Sequence, residues 1–190
     1  AAGAWSGWTW RLDRVVYERL IRTTERDEAY AVDVDAMGDA FVAGHTLSRR
    51  FPVIAAVQDR SGGQEDGFLV KLAGDAGTLV TATYLGGNGR DFAYAVAVDA
   101  EGAVHLAGRT GSTNFPIVDP IQGRLAGGTC RDDLDDEPCP DAFVTTLDLG
   151  SQSLAFSTYL GGGDRDHALG IAVDDAGNRY VVGRARSPDF

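Results

Sequence analysis

One phrase occurs three times along the chain, and this repetition constrains the fold more than any other feature. Residues 29–46 (AYAVDVDAMGDAFVAGHT), 93–110 (AYAVAVDAEGAVHLAGRT) and 168–185 (ALGIAVDDAGNRYVVGRA) align without gaps. A second phrase pairs residues 66–87 with residues 141–162, and both versions end in TYLGG. The phrases share these anchor positions: Asp35, Asp99 and Asp174; Gly38, Gly102 and Gly177; Gly44, Gly108 and Gly183. The anchors lie 64 and 75 residues apart, which indicates a repeat architecture.

Each repeat is predicted to form four short strands. Residues 94–98 are a small apolar run typical of a buried strand, and the turn DAEG joins them to residues 104–107 as a hairpin. Residues 143–147 and 154–160 supply the third and fourth strands. Four-stranded antiparallel units repeated along a chain are β-propeller blades, so the predicted fold is all-β. We expect the first strand of each blade to line a crowded channel, where small residues such as Ala93, Ala95 and Ala97 fit.

The strings YLGG, AYAVAVDAEG, AGRTGSTNFP and DAFVTTLD resemble the SBBP repeat, a β-propeller repeat of bacterial and archaeal secreted or cell-surface proteins. The resemblance covers about residues 24–190. It implies a β-propeller fold in a family without an established catalytic activity. The first copy departs from the pattern before Asp27, where LIRTTERD replaces YLGGNGRD.

The boundaries of the repeats predict one domain over residues 1–190, in which each end of the chain holds only part of a blade. Residues 1–23 would hold partial blade strands, residues 24–88 the first repeat, residues 89–163 the second repeat with an 11-residue insertion, and residues 164–190 a partial third repeat. By the 64-residue offset, RVVYERLI matches a fourth strand, and WTWRL is a candidate third strand. The predicted strands together amount to about three blades, whereas closed propellers use about four to eight.

Three explanations of this count stay open. The chain is a fragment of a longer propeller, or two chains close a ring by completing each other's split blade, or chains join head to tail as a filament.

Composition limits the partners. The formal net charge is −11, which argues against nucleic acid or an anionic membrane as the main partner. No apolar run approaches the roughly 20 residues of a membrane-spanning helix. The chain starts at Ala1 without Met, as after signal removal or at a fragment boundary.

The insertion contains the sequence CRDDLDDEPC, and we expect Cys130 and Cys139 to form a disulfide, which implies an oxidising, extracellular compartment. We expect no cofactor; calcium is the one candidate, because hard cations take about six to eight oxygen ligands and this loop is rich in carboxylates. The alternative is a solvated acidic loop. The candidate ligands are Asp132, Asp133, Asp135, Asp136 and Glu137. The EF-hand-like stretch from Asp33 is rejected, since Gly44 stands where the glutamate is needed.

Two further features are candidate binding sites. The dipeptide Arg-Asp precedes each first strand and would form a ring at one channel mouth, either as a polar binding rim or as an inter-blade network of turns and salt bridges. Its members are Arg26, Asp27, Arg90, Asp91, Arg165 and Asp166. Trp5, Trp8 and Trp10 would stack on sugars, dock into a neighbouring subunit or cap the first blade.

Catalysis has little support, because the three histidines share no repeat position and no nucleophile or metal motif is present. The sequence therefore predicts a non-catalytic extracellular or cell-surface module. Its role would be structural or interactive, as a homo-oligomer or as part of a larger surface protein. The alternatives are a carbohydrate- or calcium-dependent binding module and, second, a glycan-active propeller enzyme.

Overall fold

The computed structural model describes residue 23 and residues 25–190 except 75–77, 129 and 131–137. Every regular element in this part of the chain is a β-strand. The ten strands are β1 Asp27–Val34, β2 Ala40–Thr46, β3 Asp66–Leu72, β4 Leu79–Leu85, β5 Asp91–Val98, β6 Val104–Thr110, β7 Asp141–Asp148, β8 Ser153–Leu160, β9 Asp166–Val173 and β10 Arg179–Ala185. The strands predicted within residues 1–23 lie outside the described residues. No helix that could cross a membrane occurs among the residues the structure describes.

The strands form three consecutive antiparallel sheets in sequence order. The first sheet is β1-β2-β3-β4, the second is β5-β6-β7-β8, and the third is β9-β10. Each first hairpin closes on the shared turn, where Gly102 at φ 86° and its equivalents Gly38 and Gly177 adopt the left-handed conformation. Glycine tolerates this conformation without steric cost, so its recurrence follows from the turn. The prediction of an all-β fold built from four-stranded blades is confirmed.

A β-bulge recurs at one position of the first hairpin, and the sequence analysis did not foresee it. In the second sheet, Ala93 pairs with Gly108 and Ala95 with Ala107, so Tyr94 is the extra residue. The other first hairpins shift register at the same repeat position. A side chain at Gly108 would collide with the backbone oxygen of Phe92 and the Phe143 ring. The bulge therefore explains the shared glycine, because the two strands approach too closely there for a Cβ atom.

The sheets pack face to face, and the first strand of each sheet is central to the packing. Strand β5 contacts β1, β2 and β3 on one side and β9 on the other. One core cluster joins Phe41, Ala43 and Leu69 of the first sheet to Val96 and Phe143 of the second. A smaller cluster joins the second sheet to the third. Neighbouring sheets therefore stabilise one another, as in repeat proteins in which each unit contacts only its neighbours.

Candidate functional site

The aspartates of the Arg-Asp dipeptides lie in the joints between sheets. Asp91 is fully buried, and its carboxylate accepts hydrogen bonds from the Gly87 amide at 2.7 Å and the Ser112 hydroxyl at 2.7 Å. Asp166, also fully buried, accepts from the Gly162 amide at 2.9 Å and the Ser187 hydroxyl at 2.6 Å. The carboxylates of these two aspartates therefore hold the glycine-rich joints, which agrees with the inter-blade network of turns rather than with an open binding rim.

The serine partners of these aspartates were missed from the sequence. Ser112 follows Asp91 by 21 residues, and Ser187 follows Asp166 by the same interval. In the first copy the partly buried Asp27 accepts instead from the hydroxyls of Thr46 and Thr23. The fixed 21-residue interval was a signal that the repeat alignment could have supplied.

The arginines of the same dipeptides separate into two environments. Arg26 is exposed and forms an ion pair with Glu28. Arg90 and Arg165 line one cavity between the second and third sheets. The three arginines therefore do not act as equivalent members of a ring.

A second set of buried carboxylates begins the third strand of each complete blade. Asp66 accepts hydrogen bonds from the Ser61 hydroxyl and the Gly62 amide, and Asp141 accepts from the Gln122 side chain and the Ala126 amide. Burial raises the pKa of Asp141 to about 6, as it does for Asp91. These carboxylates organise the loops before β3 and β7.

The predicted disulfide between Cys130 and Cys139 is present, with the two Cα atoms 5.0 Å apart. Cys139 is buried, and its amide donates to the Gly128 carbonyl at 2.8 Å. The candidate calcium ligands Asp132, Asp133, Asp135, Asp136 and Glu137 lie outside the described residues, as do Trp5, Trp8 and Trp10.

One group of potential metal-ligating side chains occurs among the described residues. It consists of Cys130, Cys139 and Asp164. Both sulfurs are consumed by the disulfide, so no thiolate is left to bind a metal. The EF-hand-like stretch is a hairpin turn, since Asp35 accepts hydrogen bonds from the amides of Met37 and Asp39, each at 2.9 Å.

The two outer faces of the described stack expose apolar side chains whose repeat equivalents are buried. Val96 packs in the core shared by the first two sheets, but its equivalent Val32 is 64% exposed. Ala107 packs in the core shared by the second and third sheets, but its equivalent Val182 is 68% exposed. One outer face is therefore equivalent to the surface by which a sheet contacts the preceding sheet. The other is equivalent to the surface by which a sheet contacts the following sheet.

Comparison with known proteins identifies the repeat. The family model described as a beta-propeller repeat, SBBP, matches residues 82–116. This segment runs from the end of β4 through the glycine-rich joint and the β5–β6 hairpin. A search of curated proteins found no matching relative. The chain thus carries an SBBP beta-propeller repeat at residues 82–116, set within three consecutive propeller-like sheets.

Proposed function

We propose that this protein is a non-catalytic, extracellular β-propeller module with a structural role, and that its copies associate by completing split blades between chains. The observation that carries the proposal is the pair of complementary outer faces. The face around Val32 is equivalent to the surface by which the second sheet packs on the first. The face around Val182 is equivalent to the surface by which the second sheet packs on the third. A second copy can therefore repeat the packing already present between sheets.

The third sheet offers an edge for the same association. Strands β2 and β6 pair on both sides, whereas β10 pairs only with β9 among the described residues. The equivalents of β3 and β4 would come from residues 8–21 of the second copy, where WTWRL and RVVYERLI match the third and fourth strand positions. Strand addition of this kind satisfies main-chain hydrogen bonds at an open edge. The completed blade would bring the Val182 face of one copy onto the Val32 face of the next.

Three observations support the remaining parts of the proposal. The disulfide favours an oxidising compartment, since such bonds persist mainly outside the cytosol. Asp91, Asp141 and Asp166 are engaged by hydrogen bonds in joints and loops, which supports a structural rather than a catalytic use of these carboxylates. The matching family model describes a propeller repeat.

The test is the mass of the protein in solution as a function of concentration, measured by sedimentation velocity for the full chain. We expect mass to rise with concentration and to fall to the monomer in Val32→Glu and in Val182→Glu, because each places a charge in an apolar interface. Ile121→Glu is the matched control, since Ile121 is 81% exposed on the loop between β6 and β7. Circular dichroism checks that each variant keeps its strand content.

Mixing the two variants tests the head-to-tail arrangement. Each variant keeps one intact face, so an equimolar mixture should form a dimer and stop there. A monomer at every concentration, with cooperative melting, would contradict the proposal. A ring that needs both interfaces would leave the mixture monomeric, which separates the closed ring from the open filament.

A further inference from the structure

We propose that the cavity between the second and third sheets binds a divalent tetrahedral oxyanion, a phosphate or sulfate group that is free or carried as a monoester. The cavity has a volume of about 160 Å³. Five arginines line it together with His167: Arg90, Arg109, Arg165, Arg184 and Arg186. They are five of the 17 basic residues of a chain whose net charge is −11. This concentration of positive charge runs against the charge of the whole protein.

Chain topology brings these residues to one edge of the sheets. Arg90 and Arg165 directly precede β5 and β9, while Arg109 lies near the end of β6. Arg184 lies near the end of β10, and Arg186 directly follows it. Because the start of each first strand pairs with the end of each second strand, both sheets present their arginines at the same edge. Residues flanking the disulfide complete the wall with Pro138 and Pro140.

Two polar atoms in this cavity are buried without a hydrogen-bond partner among the described residues. They are Nε of Arg109 and Nε2 of His167. A buried polar group without a partner is destabilising, so a ligand that supplies an acceptor to Nε of Arg109 and a partner to Nε2 of His167 relieves this cost when it binds. The Arg109 guanidinium lies over the Phe92 ring at 4.3 Å from the centroid, which fixes the plane of its donors. This pre-orientation lowers the cost of binding an anion.

The imidazole of His167 suits the same ligand. Burial, and then the positive charges of Arg109, Arg184, Arg165 and Arg186, lowers the pKa of His167 to about 4. The ring is therefore neutral near neutral pH and offers one N–H donor and one acceptor. A bound dianion would offset the arginines and raise this pKa. Planar guanidinium forks match phosphate and sulfate oxygens in pairs, which favours these groups over halides.

The experiment is calorimetric titration of the full chain with inorganic phosphate, sulfate and acetate at constant ionic strength and about pH 7. We expect phosphate and sulfate to bind and acetate to bind much more weakly. The double variant Arg184→Gln/Arg186→Gln changes two exposed side chains and should bind at least about tenfold more weakly. Arg124→Gln is the matched control, because Arg124 is exposed and lies outside the cavity. In an NMR titration, sulfate should raise the pKa of His167 in the wild type.

Several outcomes would overturn the proposal. One is no binding of either dianion at about 10 mM, and another is equal affinity in the wild type and the double variant. Acetate binding as tight as sulfate binding would contradict the assigned ligand class. Five acidic residues precede Pro138 in the sequence, so a variant with Asp132, Asp133, Asp135 and Asp136 changed to Asn is also titrated. If this variant binds the dianions and the wild type does not, the acidic loop of the chain itself supplies the counter-charge to the arginines. That result would contradict an external anion as the ligand of the native protein.

Discussion

At the scale of single residues, buried aspartates hold the connections between sheets. Burial raises the pKa of Asp91 to about 6. The hydrogen bonds that its carboxylate accepts lower the pKa, but by less than burial raises it. Burial alone would raise the pKa of Asp166 too, but hydrogen bonds from Ser187, Gly162 and Arg186 together lower it. The same joint therefore contributes to pH dependence with opposite sign in different copies.

Replacing Asp91 by Asn should change the pH dependence of stability. The folded protein keeps a proton on Asp91 between about pH 4 and 6 that the unfolded chain releases, so this group lowers the free energy of unfolding as pH rises through that window. Asp91→Asn removes this contribution, up to about 1.4 kcal/mol per pH unit. Urea denaturation at several pH values measures the slope, with exposed Asp175→Asn as control. An unchanged slope in Asp91→Asn would contradict the assignment.

A second residue-scale prediction concerns the glycine opposite the β-bulge. Gly108→Ala should lower the free energy of unfolding by about 1–3 kcal/mol, because its Cβ would collide with the Phe92 carbonyl and lie 2.8 Å from the Phe143 ring. Gly123→Ala is the control, since the nearest atom to its Cβ is Pro120 Cγ at 3.8 Å. Equal melting temperatures for the two variants would show that the bulge relaxes at no cost.

At the scale of elements, each complete blade combines a four-strand meander with a long loop between its second and third strands. In the first blade this loop is anchored by the Tyr84 hydroxyl, which donates to the Ser48 carbonyl at 2.7 Å and accepts from the Phe51 amide. Tyr159 makes the equivalent contacts to Ser112 and Phe115 in the second blade. The tyrosine of TYLGG therefore serves the loop as well as the strand.

The second loop has the disulfide as an additional constraint. The double variant Cys130→Ser/Cys139→Ser should lose about 2–3 kcal/mol of unfolding free energy, because the reduced unfolded chain gains conformational freedom. Strand content should persist, since the loop lies outside the sheets. Chemical denaturation measures the loss, and wild type treated with reductant should match the variant. A stability equal to that of the oxidised wild type would contradict this prediction.

At the scale of the whole molecule, the stack of sheets ends in two apolar faces that resemble its internal interfaces. Hydrogen exchange gives a prediction for the proposed association. In dilute protein, the amides of β10 that point away from β9 should exchange much faster than those of β6, which pairs on both sides. At concentrations where the mass increases, β10 should become protected. Protection of β10 in the dilute monomer would show that its edge is already covered within one chain.

The blade pattern could be predicted from sequence because it depends on local rules. Short apolar runs, the Asp-to-Gly turn and the repeat register define strands such as β5 and β6 without knowledge of distant contacts. The bulge at Tyr94 could not be predicted in this way, since it depends on how closely two strands approach. The burial of Asp91 was missed for a related reason: a charged residue at the start of a strand is usually solvated.

The sequence by itself determined the repeat, the strand order within a blade, the turn glycines and the proximity of the two cysteines, because each of these is encoded within one repeat or one loop. Only the tertiary structure decided which charged residues are buried and which gather in one cavity. Arg109 and Arg184 share a repeat position 75 residues apart, but only the packing of the second sheet on the third places both in one cavity. Side chains that meet across separate sheets leave no local pattern, because their proximity is a consequence of packing.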